Sequence, residues 1–136
     1  MSSRFSISVH ILTLLATSGG ELMSSELLAG SINIHPVLVR KELSNLRHHG
    51  LVESKEGKTG GSWLAKPADQ IRMSDIYEAV KQHSLLGKSK NEPNPKCPVG
   101  KQINQHLDSL FHAAEETLIK SLGKTTLADF CKQFVL

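Results

Sequence analysis

With 136 residues, 16 Lys+Arg against 13 Asp+Glu and a net charge of +3, the chain is about one domain long, and its total charge is too small to name a polyanionic partner. Two cysteines exclude a disulfide scaffold, and no run approaches the ~20 apolar residues that a membrane-spanning helix needs. The early apolar run 7–16 is broken by Ser8, His10 and Thr13 and lacks a cleavage-site pattern, so a reducing, cytoplasmic setting without a membrane partner is expected.

A first helix is predicted over about 5–17, because Phe5, Val9, Leu12 and Ala16 recur at helical spacing, Ile11 and Leu15 widen the stripe, and Gly19-Gly20 stops it. Ser24 or Ser25 caps a short second helix, with Leu27 and Leu28 inward and Gly30 at its end. After a tight connection at 31–35, Pro36 takes the first position of a third helix, where its missing N–H costs nothing. On that helix Val39, Leu43 and Leu46 fall within about 60° of one another and form the core face. Val37, Arg40, Lys41, Ser44 and His48 lie across from them, Asn45 and Arg47 flank them, and Gly50 supplies the stop. Two helices joined by a short turn, the second amphipathic with a basic outer face, make a helix-turn-helix.

The next stretch, SKEGKTGGSWLAKP, places Gly57, Gly60 and Gly61 between strand-like pieces around Val52 and around Trp63 to Leu64. It reads as a hairpin, or wing, whose tip carries Lys55 and Lys58 and whose glycines let backbone N–H groups approach a phosphate chain. Taken alone, the same lysines would read first as a solvated loop; directly after a basic helix-turn-helix, the wing reading is preferred. Positive charge is concentrated here and further on: +3 over residues 36–66 and +4 over 81–101, against −1, −2 and −1 over 1–35, 67–80 and 102–136.

Ser74 is the expected N-cap of a fourth helix, SDIYEAVKQH, with Ile76, Ala79 and Val80 inward. A Lys-, Pro- and Asn-rich loop follows, with Lys88, Lys90 and Lys96 exposed, and then a helix over about 99–122, on the order of 35 Å long. Its stripe of Val99, Ile103, Leu107, Leu110, Ala114, Leu118 and Leu122 steps by four and three like an interhelical seam, with Phe111 and Ile119 alongside. The alternative is a helix packed on its own domain. Gly123 ends it, Thr125 or Thr126 caps a last helix, and Leu127, Phe130, Cys131 and Phe134 give that helix one apolar face.

Seven histidines and two cysteines invite a metal reading that the spacing does not support. His106 and His112 are about 240° apart around a helix, and no His or Cys pair has zinc-site spacing. His48 and His49 are placed to cap carbonyls or reach phosphates, and His10 within an apolar helix reads as a satisfied core or interface histidine. No Ser or Cys sits in an elbow or oxyanion context, so an enzyme is the least expected class. Cys97, beside Lys96 and near Lys101 at a helix start, is the one candidate reactive thiol, a redox site if exposed and a packing residue if covered. Cys131, on an apolar face, is expected to be inert.

The string VRKELSNLRHHGLVESKEGKTGGSWLAKP, followed by IRMSDIYEAV, resembles the Rrf2 family of winged helix-turn-helix repressors over nearly the whole chain. Its specific points are Arg40, Leu46 with Gly50-Leu51-Val52, the wing pattern Ser54, Gly57, Gly60, Gly61, Leu64, Ala65 and Pro67, and Asp75-Ile76 with Ala79-Val80. The resemblance implies a bacterial homodimer that pairs through the long helix and binds a partly palindromic operator in double-stranded DNA. Cluster-binding members carry three cysteines between the fourth and long helices, where this chain has only Cys97, so no cofactor is expected. Where the family often has arginine before the first wing glycine, this chain has Glu56, which repels phosphates, so that either the wing sits differently or its role rests on Lys55 and Lys58.

The fold expected is mainly α with a small β-hairpin: a winged helix-turn-helix domain over 1–84, a loop over 85–98, and a dimerisation helix with a C-terminal helix over 99–136. The candidate DNA contacts are Ser24, His35, Val37, Arg40, Lys41, Ser44, Arg47, His48, Lys55, Lys58 and Gly60. Arg40 is suited to a base edge, while Lys41 and Arg47 are suited to phosphates. The candidate dimer interface is Ile103, Leu107, Leu110, Ala114 and Leu118. The function expected is a sequence-specific DNA-binding transcriptional regulator, a repressor by the resemblance; the alternative is a winged-helix protein-interaction module without DNA binding, which Glu56 and the modest charge would suit.

Overall fold

The computed structural model describes residues 3–82, 85–87 and 91–136. Helix α1 spans Arg4–Ala16, α2 Ser25–Ile32 and α3 Pro36–His48, followed by strands β1 (Val52–Lys55) and β2 (Gly61–Leu64). A 3-10 turn at Ala68–Gln70 leads into α4 (Met73–Val80), the long α5 (Pro98–Leu122) and the short α6 (Leu127–Cys131). Mainly helical with one hairpin, this is the winged helix-turn-helix architecture.

The three apolar arcs of the first three helices meet in one core. Ile11 and Leu12 of α1, Leu28 of α2, and Val39 and Leu46 of α3 are all fully covered, together with Val52, Ile71 and Ile76. Leu127 of α6 joins the same core at 0% exposure. Its backbone is stitched in as well: Leu127 N–H donates to Ile71 O at 2.7 Å, and Met73 N–H donates to Thr125 O at 2.9 Å. The last helix therefore closes the same core that α1 opens.

Strands β1 and β2 are antiparallel, with Val52 opposite Leu64 and Lys55 opposite Gly61. Met23, just before α2, adds a bridge to Ser62, with Ser62 N–H to Met23 O at 2.9 Å and the reverse bond at 3.2 Å. The wing's second strand is thus fastened, near its turn, to the start of the helix-turn-helix. Two glycines make this possible. A Cβ at Gly60 would stand 2.0 Å from Lys55 O, and one at Gly61, where φ is +155°, would stand 2.9 Å from Met23 N.

Several local expectations are corrected. Gly30 does not end α2; the helix continues to Ile32, and Asn33 takes the left-handed C-cap conformation at φ 64° and ψ 49°. Leu27 points outward at 57% exposure, because Leu28 and Ala29 already fill the inward arc of so short a helix. Arg72, not Ser74, stands at the N-cap of α4, with Asp75 Oδ2 accepting from the Arg72 N–H at 2.9 Å. Helix α4 stops at Val80, since Lys81 turns to an extended conformation. Phe134 lies beyond α6 and is half-exposed, its ring edge-on to Phe130 at 5.5 Å between centroids. Lys88 and Lys90 lie outside the described residues.

Candidate nucleic-acid interface

Helix α3 is fixed from behind so that its outer face is free. Ser24 Oγ accepts from Leu27 N–H at 3.1 Å to start α2, and His35 Nδ1 accepts from Val37 N–H at 3.1 Å to start α3. Asn45 donates through Nδ2 to Ala79 O at 2.9 Å, tying α3 to the end of α4. Buried Glu42 receives Arg4 Nε at 3.0 Å on both carboxylate oxygens, a clamp between α1 and α3. That hydrogen bond is the main cause raising the Arg4 guanidinium above its ordinary value, against the opposing effect of burial.

With its core face so held, α3 presents Val37, Arg40, Lys41, Ser44, Arg47 and His48 to solvent. Between α3, the start of α2 and the wing lies a cleft of about 340 Å³. It brings together Ser24, Arg40, Ser44, Arg47, Lys55 and Gly60 from the sequence-predicted set, and adds the carboxylates of Glu26 and Glu56. His35, Val37, Lys41, His48 and Lys58 are exposed but lie outside that lining. Across the cleft's inner side Arg40 Nη1 meets Glu26 Oε1 at 3.4 Å. Ser54 and Ser62, paired one step from the hairpin turn, share a hydroxyl hydrogen bond of 2.8 Å. His49 Nδ1 sits 2.9 Å from Asn45 O, so this histidine closes the end of α3, as the carbonyl-capping expectation had it. His10 is half-buried, with its Nε2 3.2 Å from Ser31 Oγ.

The long helix stands away from the core for most of its length. Ile103, Leu107 and Leu118 are half-buried, and Leu110 and Ala114 are exposed. Among its described residues only Glu115 is buried. Its two oxygens take the Tyr77 hydroxyl at 2.5 Å and the Leu85 N–H at 3.0 Å, which fastens α5 to α4. Burial alone would raise the Glu115 carboxyl, but the Tyr77 hydroxyl, the Leu85 amide and nearby Lys81 outweigh it and hold the group below its ordinary value. Tyr77 is pushed up to about 12, first by burial and then by Glu115. Because the folded form of Glu115 prefers the charged state, its contribution to stability is complete above the ordinary value of 4.5 and fades as pH falls through the lower folded value. Glu115→Gln is expected to be less stable than the parent at neutral pH, with the difference closing below about pH 4.5. Urea unfolding of both proteins across pH 3 to 7 checks this; a gap that does not narrow would contradict it.

Cys97 is the exposed N-cap residue of α5, and Cys131 is half-buried on α6. Burial pushes the Cys131 thiol up, with the Thr13 hydroxyl opposing, in keeping with an inert side chain.

This arrangement, a helix-turn-helix with an adjacent hairpin followed by a long projecting helix, defines a class, the winged helix-turn-helix regulators. The chain belongs to the Rrf2 family, described as iron-dependent transcriptional regulators, which it matches over residues 1–133. It is 36% identical over 129 residues to YwnA of Bacillus subtilis, named as an HTH-type transcriptional regulator, with 95% of each chain covered. A transcriptional regulator structure from Lactobacillus plantarum superposes with a TM-score of 0.79 at 26% identity, covering 96% of this chain and 88% of that one. CymR, the global cysteine regulator of B. subtilis, shares the fold with a TM-score of 0.73 at 23% identity, covering 99% and 98% of the two chains. The chain is a DNA-binding transcriptional regulator of the helix-turn-helix type, and nothing in these similarities favours the protein-interaction alternative.

The family description names iron, and the residues present do not suit it. Iron–sulfur clusters are commonly held by four cysteine thiolates. This chain has two cysteines, on different elements, and among the described residues no group of three or more His, Cys, Asp or Glu side chains is placed to hold a metal ion. Among the same residues, no helix is long and apolar enough to cross a membrane.

Proposed function

We propose that the protein works as a homodimeric repressor on a partly palindromic operator in double-stranded DNA. The observation that carries this reading is the exposed cleft in which Arg40, Ser44 and Arg47 of α3 meet Lys55 and Gly60 of the wing. In this reading α3 enters the major groove. Arg40 reads a base edge there, and Lys41 and Arg47 take phosphates. Ser24, His35, Val37 and His48 border the groove from the ends of the two helices, and Lys55, Lys58 and the backbone at Gly60 follow the neighbouring strand. Glu56 repels that strand and limits the wing to its lysines.

Residues 1–84, with α6 packed into their core, form the reading unit, 85–98 the connection, and 99–122 the pairing helix. The seam of Ile103, Leu107, Leu110, Ala114 and Leu118 joins two copies, setting both recognition helices about one turn of DNA apart, ~34 Å, or a multiple of it. Cys97, at the connection, is the residue whose oxidation would act on that spacing.

Arg40→Ala is expected to cost about 1 to 3 kcal/mol of operator affinity and to relax the preference at one base pair per half-site. Equal loss on every sequence would assign Arg40 to the DNA backbone instead. The reading as a whole is tested by footprinting the purified protein on fragments of its own genome. Two protected half-sites related by a dyad are expected. A single protected half-site, or uniform coverage without one, would overturn the dimeric, sequence-reading model.

A further inference from the structure

We propose that Glu26 is a specificity residue, a strut that turns Arg40 toward base edges and away from phosphates. The inference rests on the reading of Arg40 as a base contact. Glu26 lies in the first turn of α2, outside the recognition helix, yet its Oε1 is 3.4 Å from Arg40 Nη1, and both residues line the cleft between α3 and the wing. Their side chains are 71% and 52% exposed, so the pair adds little to folding stability. Its effect is on direction.

A guanidinium carries five N–H donors in a fixed fork. With Nη1 turned to Glu26, the remaining edge stays free to pair in bidentate fashion with guanine O6 and N7. A phosphate would compete for the same guanidinium, and on a flexible stem Arg40 would take whichever anion is nearer on any sequence. The Glu26 carboxylate acts against this in two ways. It holds the guanidinium within the cleft, and it places a negative charge where a phosphate partner for Arg40 would have to come. A carboxylate facing DNA weakens every complex. In the complex where Arg40 keeps Glu26 and also finds guanine, that cost is offset; on other sequences it is not. Glu26 thus acts through Arg40 and lowers binding to the wrong sites more than to the right one.

The test starts from duplexes selected by the wild-type protein out of a random-sequence pool, with an unselected duplex of the same length as reference. Glu26→Gln keeps the shape and removes the charge. It is expected to tighten binding to the unselected duplex about two- to fivefold, the range of an exposed ion pair. On the selected duplex it should change affinity less than twofold, and it should weaken the guanine preference at the base pair that Arg40→Ala relaxes. In an Arg40→Ala background the same change should leave base preference untouched. An equal gain on both duplexes would show a plain charge effect and overturn the proposal, as would no gain on either. Failure of the underlying reading looks different: wild-type protein would select no sequence, or Arg40→Ala would leave every base preference intact.

Discussion

Leu110→Asp is expected to give a folded monomer whose affinity for operator DNA falls by about 10²-fold or more. Leu110 is 59% exposed on α5, so the change removes nothing from the core of its own copy. In the proposed seam, however, it puts a carboxylate against apolar side chains of a second copy, where the charge has no partner. Dimer separation then converts one two-site binding event into two independent half-site events, and the advantage of tethering is lost. Sedimentation at micromolar concentration and operator affinity are measured together. A variant that remains dimeric and binds as the parent does would remove Leu110 from the interface. An apolar face of this length left uncovered is also an aggregation surface, so the wild type is expected to sediment as a dimer without a monomer fraction.

Leu127→Ala is expected to destabilise the protein by about 2 to 5 kcal/mol, the range for emptying a fully buried leucine site. The residue stands nine positions from the end of the sequence, where terminal segments usually tolerate change. Here the terminal helix is part of the core: Leu127 is fully covered, in one cluster with Leu12, Val39 and Ile71. Thr126 and Asp129 fix its helix reciprocally, Asp129 N–H to Thr126 Oγ1 at 3.0 Å and Thr126 N–H to Asp129 Oδ2 at 3.2 Å. Urea unfolding should show one cooperative transition with a lowered midpoint. A loss below about 1 kcal/mol would mean that α6 is an appendage.

These cases show which parts of the molecule can be read from sequence. The spans of α1, α3, α5 and the wing follow from apolar period, Pro36 and the glycine run, all local properties of the chain. The cleft is half-legible: the basic side chains on α3 are visible as a face, but Glu26 joins them only through the angle between two helices. The buried acids were missed for a related reason. Glu42 bonds Arg4 and Glu115 bonds Tyr77 across 38 positions each, distances over which no periodicity runs. A signal was nevertheless present. Glu42 falls among Val39, Leu43 and Leu46 at helical spacing, and Glu115 falls among Phe111, Leu118, Ile119 and Leu122. An acid inside an apolar arc calls for a donor on a neighbouring element. The end of α2 misled because glycine is the usual left-handed C-cap residue, whereas this chain uses Asn33.

The central claim, that the cleft between α3 and the wing grips a duplex, is tested most directly by the salt dependence of DNA affinity. If Lys41, Arg47, Lys55 and Lys58 of two copies take phosphates, log affinity should fall linearly with log salt with a slope of about −7. Removing Lys55 and Lys58 together should shrink that slope by about 3 to 4 for the dimer while leaving the selected sequence unchanged. Affinity that does not respond to salt, or a slope that the double variant leaves intact, would contradict the assignment of this face to DNA.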